Sequence, residues 1–409
     1  MNLVVIGGGA AGFFCAVNAA RLNPSLSVTI LERSSKLLSK VRISGGGRCN
    51  LTHACFDIND MCKRYPRGEQ FVRKAFHSFF TIDTIEWFNS RHVPTKTEDD
   101  GRMFPTSDSS ESIIACLMKE ANRHKVQIRM NRDVKHLQRN ESSWTLTFSD
   151  GLKEDADFVC LATGGQPKTI MFDWIKELGH NIEDPVPSLF TFNMPGHDIT
   201  ELMGVAVADA IVKVTGSKLN QRGPILITHW GLSGPAVLKL SAWGAREFAT
   251  QNYDFSVQVN WLPSYNEQTF REAMLEHKDS NPMQQVFNKN PFGLPQRLWQ
   301  YLVLRSDINE TLRWVELPLV KLNKLVRSVI AFDVSVKGKT TYKEEFVTAG
   351  GVLLNEVNVQ TMESKKLSNL FFAGEVLNVD GITGGYNFQH AWTSGYIAAT
   401  AIAGRSANK

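Results

Sequence analysis

The sequence predicts an α/β protein: a Rossmann-type nucleotide-binding domain that is interrupted by an inserted second domain and completed by a C-terminal return. Three observations carry this expectation. The chain opens on an apolar run that ends in a glycine fingerprint, an acid closes the next apolar run, and a second strand-to-glycine-to-acid unit recurs more than 350 residues later. The expected domain limits are 1–189 for the first part of the nucleotide-binding domain, 190–330 for the insert and 331–409 for the return.

The apolar run Val4-Val5-Ile6 suits a buried parallel strand, and Gly7, Gly9 and Gly12 fit G-x-G-x-x-G. Gly7 turns the chain, Gly9 lets backbone approach a pyrophosphate, and Gly12 lets helix and strand pack closely. Phe13–Ala20 reads as a packed helix whose N-terminus faces the phosphates with unpaired N–H groups and the positive dipole end, and Ala10 and Ala11 are expected at the cofactor. Ser27–Leu31 reads as the second strand, and Glu32, with Arg33 beside it, follows Gly12 by 20 residues, where a carboxylate takes both hydroxyls of an adenosine ribose. An acid there disfavours a ribose phosphate, so the nucleotide is expected to be FAD or NAD rather than NADP.

Composition narrows the class. The 409 residues are 43% hydrophobic and 21% charged, as in globular proteins, and a net charge of +4 over so large a surface does not argue for nucleic acid. The six cysteines, at 15, 49, 55, 62, 116 and 160, include no C-x-x-C and no metal-ligand spacing, which suits reduced thiols in a cytoplasmic protein without a metal. The first strand begins at Leu3, leaving no room for a basic leader, and no apolar run approaches the ~18 to 20 residues needed to span a bilayer.

Beyond Glu32, the stretch Lys36–Thr52 contains Gly45-Gly46-Gly47-Arg48-Cys49-Asn50. Consecutive glycines cost backbone entropy, and they make sense where main chain lies against a flat or anionic ligand. Gly46 and Gly47 are therefore expected at the cofactor, with Arg48 pairing to phosphate and Asn50 and Thr52 bonding a ring edge or ribityl hydroxyl. Cys49 has no partner at a redox spacing and reads as a structural thiol within this loop.

Residues 54 to 125 read as helical connecting structure, with a helix over Asp83–Ser90 and another starting at Asp108-Ser109-Ser110-Glu111, a capping-box pattern. The acidic stretch Thr97–Pro105 between them reads as a solvated loop, with Arg102 and Phe104 its members nearest a ligand. Strands follow at Val126–Met130, Val134–Gln138, Trp144–Ser149 and Asp157–Leu161, the last running into a glycine turn at Thr163-Gly164-Gly165 that returns the chain to the cofactor. Pro185-Val186-Pro187 reads as a break. From 190 the texture changes to strand-like pieces up to Val259 and then helices near Thr269–Glu276 and Leu294–Leu304. Within the insert, Ser233 and Pro235 signal a helix start, and His229 sits on the turn before it.

The return begins at Leu370–Glu375, a strand leading into Gly374 and Glu375, and Gly384-Gly385-Tyr386-Asn387 then opens a helix expected to reach Ala403. Gly384 and Gly385 allow close approach to a flat ring, and the helix dipole favours negative charge on it.

Taken together, Ser44–Thr52, Gly101–Pro105, Thr228–Pro235, Thr348–Val352, Thr361–Lys365 and Phe372–Gln389 resemble the bacterial flavoprotein family of BaiN and YhiN type, NAD(P)/FAD-dependent oxidoreductases labelled aminoacetone-oxidase-like or dehydro-bile-acid-reductase-like. The resemblance covers nearly the whole chain. It implies an insert that is partly a β-barrel, a backbone contact from Val134 to the adenine, and cofactor contacts at Thr163, Gly164, Gly374, Glu375, Asp380, Gly385, Tyr386 and Asn387. Departures from the family pattern are His53 in place of Asn, Asn378 in place of Asp, and His390 in place of an aromatic residue.

A second glycine and acid unit so far from the first suits FAD, which needs clamps along its length, better than NAD. No second G-x-G-x-x-G appears, so NAD(P)H would dock transiently. The expectation is a FAD-dependent oxidoreductase that acts on a small organic substrate by hydride transfer, with no nucleic-acid or membrane partner. The alternatives are a flavin-dependent tRNA-modifying enzyme and a non-catalytic NAD/FAD-binding sensor. The flavin is expected where the first domain meets the insert, with Arg48, His229, Tyr386 and Asn387 nearest the ring and His229 or Tyr386 as the proton partner.

Overall fold

The computed structural model describes residues 1–341 and 347–407. The chain forms two compact units, Met1–Ser188 with Lys343–Lys409, and Leu189–Tyr342.

In the first unit a seven-stranded sheet runs in the order Val357–Asn358, Glu363–Ser364, Leu370–Phe372, Phe158–Leu161, Asn2–Ile6, Ser27–Leu31, Gln127–Arg129. The five strands from Leu370–Phe372 to Gln127–Arg129 are parallel, and the two at the far edge are antiparallel. Residues 3–6 and Phe158–Leu161 of the inner members are buried and apolar throughout because both faces are covered, as parallel sheets require. Asn2–Ile6 lies between a strand that follows it at once and one that arrives after residue 157, so its C-terminal end is the point where strand order reverses and ligands bind in such sheets.

The helix Ala10–Leu22 leaves that end, and the C-terminal helix Tyr386–Ala407 packs on it. The contact is close because Gly395 has no side chain: a Cβ there would lie 2.7 Å from the Ala11 carbonyl oxygen. Phe14, Phe88 and Trp392 pack beside it, Phe14 and Trp392 with ring centres 5.2 Å apart.

Several local expectations are corrected. Thr97–Pro105 is not an open loop but most of a hairpin, Thr95–Thr97 with Arg102–Pro105, in a small sheet with Thr52–His53. The second connecting helix is Ser110–Arg123, and its cap is Ser109, whose hydroxyl accepts from the Glu111 N–H at 3.3 Å, rather than Asp108. Lys153–Ala156 is an additional strand. Pro185 and Pro187 do not break the chain. They sit in the strand Ile182–Pro187, which pairs through a bulge with Thr348–Val352 in a two-stranded sheet, an edge setting in which missing N–H groups are tolerated.

The second unit is a seven-stranded sheet ordered Phe332–Lys337, Asp254–Asn260, Ala206–Val214, Asn220–Thr228, Gly231–Ser233, Thr191–Asn193, Lys339–Thr340. Its first and last strands are consecutive in sequence. The segment 332–340 pairs with Asp254–Val259 along its first part and with Thr191 and Phe192 along its second, turning at Gly338, whose φ is +86°. One segment thus joins both edges of the sheet, giving the partly barrel-like closure. The inner residues Phe192, Val212, Ile227, Val257 and Val336 form one core with Trp261, Trp299 and Trp314, over which the helices Glu267–Ser280, Gln296–Arg305 and Leu319–Ile330 lie. Because residues 332–340 complete this sheet, the second unit runs past the expected boundary at 330.

Candidate functional site

The three fingerprint glycines meet three different surroundings. A Cβ on Gly7, whose φ is +119°, would fall 2.2 Å from the Ala162 carbonyl oxygen, and one on Gly12 would fall 2.0 Å from the Gly7 carbonyl oxygen. Both positions are filled by backbone. Gly9 is the opposite case, since nothing lies within 4 Å of where its Cβ would stand. Gly9 is also the N-cap of Ala10–Leu22 and offers no side-chain cap, so the N–H groups of Ala10, Ala11 and Gly12 open the helix beside free space. That is the shape and charge an anionic pyrophosphate requires.

Glu32 stands at the end of the neighbouring strand. One carboxylate oxygen accepts from the Gly8 N–H at 2.9 Å, and the other from the Ser34 N–H at 2.9 Å and the Ser34 hydroxyl at 2.8 Å. Gly8 and Ser34 thereby hold the acid in place, and neither was singled out in the sequence. The Glu32 backbone is tied to Arg129 and Arg132, which brings the segment leading to Val134 alongside; Val134 itself is buried and starts its strand. Arg33 is exposed. On the other side of Gly7, Thr163 follows Ala162, and Gly164, with φ of +73°, leaves the space of a Cβ open.

The glycine stretch begins as a helix, Ser39–Gly47, whose regular part ends before Ser44. Gly45, Gly46 and Gly47 then take φ of +59°, +69° and +86° in succession, a left-handed run that L side chains resist. Gly46 and Gly47 leave open space where Cβ atoms would be, whereas Gly45 packs on Phe104. Cys49 is buried, and burial pushes its thiol up to about 12, so it is not a nucleophile. With its amide turned so that the oxygen faces the Gly385 N–H, Asn50 accepts from it at 3.0 Å and donates to the Thr52 carbonyl at 3.1 Å, joining this loop to the turn that opens the last helix.

Arg48 differs from its expected role. Its guanidinium pairs with Glu98, lies 3.6 Å from Asp108 and sits 4.0 Å over the Phe104 ring, so its charge is engaged within the protein. The acid that takes it, Glu98, belongs to the stretch read as solvated.

The C-terminal candidates divide in the same way. Gly374, with φ of +75°, lies against Ala11, where a Cβ would be 2.7 Å from the Ala11 Cβ, and its N–H donates to the Ser394 hydroxyl. Glu375 pairs with Lys40 at 2.5 Å and accepts from the Thr348 N–H at 2.8 Å. Asp380 does not face a ligand with its carboxylate, which is completely buried on Arg67 and Ser188. Asn387 likewise uses its amide internally, accepting from the Gly381 N–H at 2.8 Å and donating to the Gly381 carbonyl at 2.9 Å. Both look like ligand residues in sequence because polar side chains beside glycines are common to binding loops and to self-bonded turns.

Gly385 is required by contact, since a Cβ would fall 2.4 Å from the Thr52 carbonyl oxygen. Tyr386 is clamped between rings: His53 stacks on it at 4.7 Å, Tyr65 meets it edge-on at 6.1 Å, and the Tyr65 hydroxyl donates to its carbonyl at 2.6 Å. Burial pushes the Tyr386 phenol up to about 12, so it keeps its proton through the neutral range. His390 is buried, and burial pulls its imidazole down to about 4, leaving it neutral. His229 belongs to the second unit, on the turn between Asn220–Thr228 and Gly231–Ser233, exposed and with its ring 4.6 Å from that of Trp230. The helix after it starts at Pro235 with Gly234, not Ser233, as its cap.

One cluster imitates a hydrolytic triad without being one. Ser364 Oγ lies 3.0 Å from His180 Nε2, and His180 Nδ1 lies 2.9 Å from Glu356. Ser364 Oγ already accepts from the Lys366 and Leu367 N–H groups, so its lone pairs are filled and the group is a buried brace. The other cysteines, apart from partly covered Cys55, are buried.

The open space at Gly9, Gly46, Gly47 and Gly164, the uncapped helix start and the fixed acid fit a dinucleotide lying across the end of the first strand. Fold and geometry define a Rossmann-type dinucleotide-binding protein, and its relatives make the class a FAD-dependent oxidoreductase. The profile of the HI0933-like protein Rossmann domain matches residues 1–401, and the chain belongs to that family, which bears out the resemblance drawn from its motifs. It is 30% identical to a 3-dehydro-bile acid delta(4,6)-reductase of Clostridium scindens over 99% of this chain and 100% of that one. It is also 30% identical to a ribosomal RNA dihydrouridine synthase of Escherichia coli over 97% of each. Among solved structures, a 3-ketosteroid-delta4-(5alpha)-dehydrogenase of Rhodococcus jostii covers 98% of this chain and 96% of its own at 14% identity, with a TM-score of 0.51. A 3-ketosteroid delta1-dehydrogenase of Sterolibacterium denitrificans aligns over 98% and 99% at 13% identity, with a TM-score of 0.52. At those identities the likeness concerns the fold.

Proposed function

We propose that this chain is a reductase that saturates a carbon–carbon double bond conjugated to a carbonyl in a small organic ring compound, with NAD(P)H docking transiently as electron donor. The observation that carries the cofactor half of this reading is the open cradle at Gly9 beside the fixed Glu32. The substrate half is supported by the full-length likeness to the bile acid delta(4,6)-reductase, whose name describes reduction of such a bond.

In this reading Gly9, Ala10 and Ala11 take the pyrophosphate with backbone N–H groups, Glu32 takes the ribose, and the main chain at Gly46, Gly47, Thr163, Gly164, Gly374 and Gly385 borders the rest. Glu375 stands nearest the ribityl chain, and Val134 offers backbone to the adenine. FAD, when bound, supplies hydride chemistry; the protein supplies orientation, water exclusion and proton placement. Reducing a conjugated double bond consumes one hydride and one proton. Tyr386 is the proton-bearing group of the first unit, held by His53 and Tyr65, and His229 is the alternative on the second. Placed proton donors contribute ~100- to 10,000-fold, so Tyr386→Phe should slow turnover by that order while leaving FAD bound.

A second reading has its own observation. The likeness to the ribosomal RNA dihydrouridine synthase is as extensive, and a dihydrouridine is a uridine whose conjugated ring double bond has been saturated. The chemistry is shared and the carrier differs. The purified protein should be yellow with one FAD per chain and should oxidise NADH or NADPH anaerobically when given a 3-keto-4,6-diene steroid. A colourless protein that FAD does not reconstitute ends both readings, whereas oxidation only in the presence of unmodified ribosomal RNA replaces the first by the second.

A further inference from the structure

The loop Ser44–Asn50 carries three consecutive left-handed glycines, and such a run has little conformational preference of its own. Something outside it must fix its course. Its exit is fastened by backbone, since the Leu51 N–H donates to the Met103 carbonyl at 2.9 Å and Thr52 pairs with Met103. Its apex is fastened by side chains of the same hairpin. Phe104, fully buried, lies where a Cβ on Gly45 would meet it at 2.7 Å, and it carries the Arg48 guanidinium 4.0 Å above its ring. Glu98 gives one oxygen to Arg48 and the other, at 3.0 Å, to Arg102, whose own guanidinium lies 5.5 Å from the centre of the Phe104 ring. Asp108 adds a weaker partner for Arg48 at 3.6 Å. Glu98 is half-buried and sits at the hairpin turn, closed by the bond from the Gly101 N–H to its carbonyl at 2.8 Å.

We propose that Glu98 is a positioning residue for the cofactor: through Arg48 it clasps the glycine loop in the course that lets main chain at Gly46 and Gly47 border FAD, and Arg48 serves as the loop's handle rather than as a phosphate ligand. The proposal rests on the FAD reading for its consequence, but the clasp is a property of the protein alone. It separates two roles that the sequence leaves joined. A phosphate-binding Arg48 would be restrained by Glu98, and freeing it would strengthen FAD binding. A handle would lose its anchor, and binding would weaken.

The experiment compares Glu98→Gln, Arg48→Gln and the double variant. Hydrogen exchange of the amides of residues 44–50 is read in cofactor-free protein, and FAD affinity is read by titration. Partly exposed ion pairs contribute up to ~1 kcal/mol, so exchange in the loop should rise, and FAD affinity fall, by about five-fold in each single variant. The double variant should show no further loss, because both substitutions open one clasp. Exchange elsewhere in the hairpin, at Met103 and Phe104, should stay slow, which separates an opened clasp from an unfolded hairpin. Unchanged loop exchange in Glu98→Gln, or tighter FAD binding by it while Arg48→Gln binds more weakly, overturns the proposal. If the parent protein binds no FAD, the cofactor reading falls, and the exchange data still decide whether Glu98 holds the loop.

Discussion

Gly7, Gly9 and Gly12 occupy one motif, yet a methyl group at each would meet different matter. At Gly12 it would collide with the Gly7 carbonyl oxygen at 2.0 Å, so Gly12→Ala should lower unfolding free energy by ~1 to 3 kcal/mol, the usual cost of overpacking. At Gly9 it would enter open space at a φ of −94°, which alanine adopts freely. Gly9→Ala should therefore unfold within ~0.5 kcal/mol of the parent while losing about tenfold or more in FAD affinity, ~1.4 kcal/mol. Urea titration with and without FAD checks both; equal FAD affinity in the two proteins would take Gly9 out of the site. His390 gives the pH dependence. Its folded value is drawn down to about 4 by burial, so the unfolded chain binds the proton more readily, and the stability present above pH ~6.5 is lost as pH falls toward 4. The shift corresponds to ~3 kcal/mol between those limits, and in His390→Asn, which has no group titrating there, the difference between urea midpoints at pH 7.5 and 4.5 should shrink.

The helices Ala10–Leu22 and Tyr386–Ala407 approach each other over Gly395, and the lever there is size alone. Gly395→Val should force them apart and cost ~1 to 3 kcal/mol, and because Gly374 lies against Ala11 the variant should also loosen FAD. Were Gly395→Val as stable as the parent, the close crossing would be wrong. The elements nearest the cradle were legible because their signals are local. Ser27–Leu31 has the limits read from its apolar run, whereas the first helix, read from Phe13, starts at Ala10 directly after its Gly9 cap. The strand Ile182–Pro187 was not legible, since two prolines argue against pairing unless the strand is at an edge, and edge position is a tertiary fact. The hairpin Thr95–Pro105 was missed because its acids look solvated until Arg48, 50 residues before Glu98, is brought to them. Asp380 and Asn387 gave no sign in sequence that their side chains bond within the protein, the first to Arg67 and Ser188 and the second to the Gly381 backbone.

At the scale of the whole chain, the first unit is assembled from segments at both ends of the sequence, with 189–342 between them. A ligand that binds the native first unit should stabilise it by mass action, so FAD at a hundred times its dissociation constant should add ~2.7 kcal/mol and raise the melting temperature, with NADP unable to substitute. Among the described residues no helix is long and apolar enough to cross a membrane. The burial of the thiols has a practical consequence for following the molecule. Cys55 is the one cysteine of six that is not buried, so a maleimide dye should attach once to the folded chain and six times after denaturation. Its attachment should be slow, since burial and nearby acids raise the Cys55 thiol. The native protein thus carries a single optical handle a short way along the chain from His53, and the dye count reads directly how many molecules in a preparation have lost their packing.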